Sequence, residues 1–199
     1  MYITFPFTMR SIYLALICSF ASAALLPSRQ NAVCSQIAGN ITGDVYYSLS
    51  INYINDTEHY MSSSSETPLC VVEVASPQDV SNVLKIVAAT RTPFAVKSGG
   101  HASNPGFSST TGVFISLVRL NQITFSEDKS TIEIGLGNVI QLPSARLRAG
   151  QILTSYQVWT DVYSALDGSG YNVVGGRVPG PGTGGFSLGG GYSWLSEYV

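Results

Sequence analysis

Apolar positions along the chain change their period several times, and each change marks an element. Leu69 to Ala75 (LCVVEVA) is a short β-branched run, which predicts a buried strand. It ends at Ser76-Pro77-Gln78-Asp79, a helix start in which Ser76 caps, Pro77 takes the first helical position and Asp79 sits at the positive end of the dipole. Val80, Val83, Leu84 and Val87 then recur at helical spacing and define one buried face, so a helix runs to about Arg91. Pro93 breaks it, Phe94 to Val96 reads as a second strand, and the chain enters Lys97-Ser98-Gly99-Gly100-His101. Further strands are expected at Gly112 to Leu117 and Thr131 to Leu136, then a helix over Trp159 to Leu166 and a strand at Tyr171 to Val174. The mixture is an α+β fold.

A different pattern opens the chain. Arg10 precedes the apolar run Ile12 to Ala21, followed by the small residues Ser22, Ala23 and Ala24. This is the form of a secretory signal peptide over residues 1–23, which makes the mature protein secreted and extracellular, with no membrane association after cleavage. A membrane anchor is the alternative, but the run falls well short of the roughly 20 residues that span hydrocarbon.

Residues 24–65 form a polar N-terminal segment, read as a loop. With Cys18 removed in the signal, Cys34 and Cys70 remain as an even pair expected to form one disulfide, the alternative being two free buried thiols. Asn40-Ile41-Thr42 and Asn55-Asp56-Thr57 fit the glycosylation sequon, a short pattern that also arises by chance. His59, in a Ser-rich stretch, is expected to be merely solvated.

Composition narrows the function classes. With 45% hydrophobic residues in 199, the chain can bury a sizeable core. Only 11% of residues are charged and the net charge is -2, so no basic surface exists to neutralise nucleic acid. No metal site is read from the sequence.

The glycines carry the chemistry. Strand, helix, strand and then Ser98-Gly99-Gly100 is a phosphate-binding order, because glycines let successive backbone N–H groups approach one anion. By itself that pair is more often a simple turn. A second cluster, Gly175 to Tyr192, holds nine glycines in 18 residues yet keeps Phe186, Leu188 and Tyr192 among them. A flexible linker would lack those apolar side chains, so ordered backbone around an extended ligand is the better reading. The clusters lie more than 70 residues apart, and the fold must bring them together around one ligand.

The segments TPFAVKSGGHASNPGFSSTTGVFISL and LDGSGYNVVGGRVPGPGTGGFSLGGGYSWLS resemble the p-cresol methylhydroxylase-type FAD-binding domain of the vanillyl-alcohol oxidase superfamily, in its berberine-bridge-enzyme-like branch of fungal secreted type. The resemblance covers residues 66–199 and implies an incomplete domain, the first FAD subdomain plus part of the second. It implies that Ser98, Gly99, Gly100, His101 and Ala102 cradle the FAD pyrophosphate, and that His101 is joined covalently to the flavin. It makes Gly176, Val178, Gly182, Gly185, Gly190 and Tyr192 candidates for lining the cofactor. An unprotonated imidazole nitrogen is the nucleophile such a bond needs.

Three departures from the family pattern stand out. Where some relatives carry a cysteine that makes a second flavin bond, this chain has Val178, so one covalent bond at most is expected. Residues 139–157 (VIQLPSARLRAGQILTSYQ) interrupt a passage that otherwise runs from strand to helix. They read as a retained intron, the alternative being a tolerated surface loop. The chain also stops at Val199, before the family's substrate domain, so no catalytic base is named.

The resemblance implies an FAD-dependent oxidoreductase, an oxidase or dehydrogenase of a small secondary metabolite or carbohydrate. Hydride would pass to flavin N5, and dioxygen would reoxidise the flavin. The alternatives are a truncated, catalytically inactive flavin-binding fragment and a secreted structural glycoprotein.

Overall fold

The computed structural model describes residues 29–128, 130–137, 158–178 and 180–197. The proposed signal peptide (1–23) and the insertion (139–157) lie outside the described residues. The elements in chain order are α1 (Arg29–Ala38), β1 (Asp44–Tyr46), α2 (Ile51–Thr57), a 3-10 turn (Ser62–Ser64), β2 (Cys70–Glu73), α3 (Pro77–Thr90), β3 (Phe94–Lys97), β4 (Val113–Ser116), β5 (Ile123–Phe125), β6 (Ile132–Ile134), α4 (Val158–Leu166) and α5 (Thr183–Leu188).

Two layers of core follow. The main sheet has the order β1-β2-β4-β3, with β2, β4 and β3 parallel and β1 antiparallel on the edge. Strands β2 and β4 are buried along their whole length, as central parallel strands must be. Their Val72, Val113 and Ile115, with Val74 just past β2, pack with Val83, Ile86 and Val87 of α3 and with Val33, Cys34 and Ile37 of α1. The second core is smaller: Trp159, Val162 and Leu166 of α4 close over Ile123, Phe125, Ile132 and Ile134 of the β5–β6 hairpin.

The helix α3 begins as the sequence predicts. Ser76 Oγ accepts from Asp79 N at 3.1 Å, and Arg91 ends the helix in the left-handed region at φ 53. Asp79 does more than favour the dipole. Its buried carboxylate accepts from the backbone N–H groups of Thr42, Gly43 and Ala75 at 2.9, 3.0 and 2.9 Å. Burial alone would raise its pKa, but these hydrogen bonds hold it below the usual value.

Several expectations need correcting. The N-terminal segment is not a loop: it supplies α1, β1 and α2, and Cys34 of α1 is disulfide-bonded to Cys70 of β2, with Cα atoms 6.3 Å apart. His59 is not solvated. It is 3% exposed, with Nδ1 2.9 Å from Thr57 O and Nε2 3.1 Å from Ser108 O and Oγ. Burial, chiefly, holds its pKa down. Residues 171–174 form no strand: among the described residues no strand pairs with them, and Gly168 and Gly170, at φ 71 and 80, turn the chain just before them.

Candidate functional site

The site begins where β3 ends. Lys97 closes the strand, and Ser98-Gly99-Gly100-His101 leaves the sheet as an irregular turn in which Gly100 adopts φ 69, a conformation that favours glycine. Across from it stands the N-terminus of α5. A Cβ on Gly99 would lie 2.5 Å from Gly182 N, and one on Gly182 would lie 2.3 Å from Gly99 N. The two glycine clusters thus meet backbone to backbone, an approach no side chain would permit.

The contact extends on both sides. The Ser98 hydroxyl donates to the Leu136 carbonyl, the Thr183 hydroxyl donates to Gly135 O at 3.3 Å, and a Cβ on Gly184 would meet Ser98 Oγ at 3.2 Å. The Ser98 side chain is therefore engaged in joining the two cores, which leaves the backbone of the turn to face a ligand.

From below, the turn is held by the N-terminal segment. Lys97 Nζ donates to the carbonyls of Asp56 and Glu58 at 2.6 and 2.5 Å, while Tyr60 N donates to Gly100 O at 3.0 Å. Ser64 Oγ donates to Ala102 O at 2.8 Å. Burial pushes the Lys97 pKa down to about 8, against the pull of Asp56 and Glu58. Burial likewise raises Asp56 to about 7, helped by Glu73 and opposed by Lys97. Asp56 and Lys97 were not among the site residues expected from sequence, because only the fold carries the end of α2 beneath the turn.

His101 stands at the end of the turn, partly buried. Its Nδ1 is buried with no hydrogen-bond partner among the described residues, and its ring meets that of Tyr60 edge to face, centroids 4.2 Å apart and planes at 85°. Burial holds its pKa below the ordinary histidine value, so the imidazole is neutral at neutral pH. A buried neutral nitrogen with no partner among the described residues and a cradle that only glycine allows both fit a dinucleotide cofactor.

The other residues expected at the site divide. Gly182 joins the first cluster. Gly176 is a glycine for another reason: its Cβ would strike the Trp159 ring at 2.5 Å, while its carbonyl accepts from Tyr163 Oη at 2.8 Å. Gly185 faces open space, and Gly190 adopts φ 73. Val178 and Tyr192 are exposed, and the Arg177 guanidinium lies over the rings of Tyr192 and Trp194, 4.7 and 4.9 Å from their centroids.

Comparison with known proteins accounts for this arrangement. Residues 68–158 match the family described as FAD binding domain. An FAD-dependent monooxygenase of Cochliobolus heterostrophus is 31% identical over 179 residues, covering 82% of this chain and 31% of that protein. An FAD-dependent monooxygenase of Aspergillus niger is 39% identical over 126 residues, covering 62% of this chain and 18% of that protein. Among solved structures, a chitooligosaccharide oxidase superposes with TM-score 0.63 at 22% identity, over 83% of this chain and 31% of its own. The BBE-like 1 protein of Physcomitrella patens gives TM-score 0.62 at 17% identity, over 82% of this chain and 32% of its own. The fold is thus part of the p-cresol methylhydroxylase-type FAD-binding fold, and the chain spans about a third or less of the length of these proteins.

Proposed function

The chain carries, in residues 68–158, an FAD-binding domain of the FAD-linked oxidoreductases, and from that premise we propose that it is the cofactor-gripping part of a secreted oxidase or dehydrogenase whose flavin is bonded to His101. One observation carries the reading. The turn Ser98–Ala102 meets Gly182 backbone to backbone, and at its end stands a neutral imidazole whose buried Nδ1 has no protein partner.

Each residue has a task in that reading. Gly99 and Gly100 would present backbone N–H groups to the pyrophosphate, a geometry that excludes side chains. Ser98 ties the turn to the hairpin through Leu136, so the anion site and the wall of the second core keep one spacing. His101 would hold the flavin in place, and Gly182, Gly185, Gly190, Val178 and Tyr192 would line the rest of the cofactor. When bound, FAD would supply a two-electron acceptor for oxidation of a small secondary metabolite or carbohydrate, with dioxygen as the final oxidant. Extracellular placement, with glycans at Asn40 and Asn55, follows from the signal-like first 23 residues and the exposure of both asparagines. A covalent cofactor suits that setting because it cannot diffuse away.

Acid denaturation of the full-length gene product tests the assignment. Flavin should remain with the polypeptide, and His101→Ala should release it. Acid-stable flavin persisting in His101→Ala overturns the reading, because position 178 is valine and offers no second thiol. The 199-residue chain by itself should bind FAD weakly and reversibly and turn over no substrate, the second reading that its share of its relatives' length favours.

A further inference from the structure

The segment leading into the family-matched region touches the flavin turn at every step, although the match begins only at residue 68. Asp56 and Glu58 take the Lys97 ammonium, Tyr60 N takes the Gly100 carbonyl, Ser64 takes the Ala102 carbonyl, and Ser63 Oγ lies 3.4 Å from Ser103 O. His59, beside Tyr60, is pinned by the Ser108 carbonyl and hydroxyl on the far side of the same loop. Five positions between Lys97 and Ser108 are thus referenced to one short stretch of chain. Within that stretch the Tyr60 ring is the group that meets the His101 imidazole.

We propose that Tyr60 is a positioning residue for His101: its ring, crossing the imidazole edge to face at 4.2 Å, holds the imidazole in the orientation that leaves Nδ1 buried and free of protein partners. The inference rests on the reading of His101 as the flavin anchor and names what aims it. An imidazole has two soft torsions, and no hydrogen bond fixes Nδ1. Ring packing is then the means left to fix its rotamer, and an edge-to-face aromatic pair does so with a defined interplanar angle. Tyr60 itself is 60% exposed and is free of the main cores, so its ring adds little to the stability of the fold. Its hydroxyl makes no contact with His101 that the geometry requires, so phenylalanine should serve as well.

The charged groups nearby do not supply the same effect. Asp56, Glu58 and Lys97 engage one another beneath the turn, and the His101 pKa is lowered by burial alone. Removing the Tyr60 ring should therefore let water reach the imidazole and move its titration upward.

The test uses the 199-residue chain and the full-length product, each as Tyr60→Ala and Tyr60→Phe. The chain contains two histidines, so both titrate resolvably by NMR. In Tyr60→Ala the His101 titration should move up toward the ordinary histidine range while that of His59 stays low, and Tyr60→Phe should leave both where they are. In the full-length product, incorporation of acid-stable flavin should slow by on the order of tenfold or more in Tyr60→Ala and be restored in Tyr60→Phe. An unchanged His101 titration in Tyr60→Ala, with far-UV circular dichroism intact, overturns the positioning role whether or not flavin binds. Undiminished flavin incorporation in Tyr60→Ala overturns it as well. If no variant, wild type included, takes acid-stable flavin while the titration shifts as expected, the anchor assignment fails and the ring's control of the imidazole stands.

Discussion

At the scale of single residues, the glycines separate into those the fold cannot replace and those it can. Gly99→Ala or Gly182→Ala would drive a methyl group to within 2.5 or 2.3 Å of opposing backbone, so the two cores must move apart. Each should cost about 1–3 kcal/mol of stability and abolish flavin binding, as read by thermal denaturation and flavin content. Gly185→Ala meets nothing within 4 Å and lies inside α5, so it should leave stability unchanged or higher. Asp79 gives a pH test. Its pKa is lowered in the folded state, so its contribution is complete above the ordinary carboxylate value and is lost as pH falls through the folded one. Asp79→Asn should cost about 2 kcal/mol near neutrality, with the gap to wild type narrowing below about pH 4 in chemical denaturation.

At the scale of elements, α1 is tethered to β2 by Cys34–Cys70, two buried residues that pack in the main core. With a sequence separation of 36, the cross-link should stabilise the chain by roughly 3–4 kcal/mol by restricting the unfolded state. The double variant Cys34→Ser/Cys70→Ser should show that loss in denaturant titration, and free-thiol labelling of both cysteines in the purified protein would refute the pairing in solution. Helix α4 also tests the insertion. It packs on the β5–β6 hairpin that precedes residues 139–157, so both flanks of the segment belong to one small core. Deleting 139–157 should raise soluble yield, and an unchanged or lower yield counts against the intron reading.

At the scale of the whole molecule, the two cores are joined through the site itself. Ser98 to Leu136, Thr183 to Gly135 and Gly99 against Gly182 are among the links that span them, beside Gly137 N–H to the Leu120 carbonyl, so the contact between the glycine clusters also helps align the cores. The surface around the second glycine cluster is unusually apolar, with Leu188 89% and Trp194 73% exposed. Such a face should bind apolar dyes, and Leu188→Ser with Trp194→Ser should weaken that binding, as read by dye fluorescence.

Local chemistry determined the elements whose signals are local. The β-branched run at Leu69–Ala75, the Ser76-Pro77 cap and the helical spacing after it placed β2, α3 and β3 to within a residue or two, because capping and burial periodicity act over a few positions. Two ordered glycine clusters likewise pointed to one extended ligand. Tertiary structure decided the rest. Polar composition hid α1, β1 and α2, which form because they have a sheet and a helix to pack on, and a β-like run at 171–174 stayed irregular for want of a strand beside it. No spacing rule could have put Tyr60 across from His101 or Lys97 against the end of α2. Those contacts join residues about 40 positions apart, and they exist only once β2, β4 and β3 have paired in register.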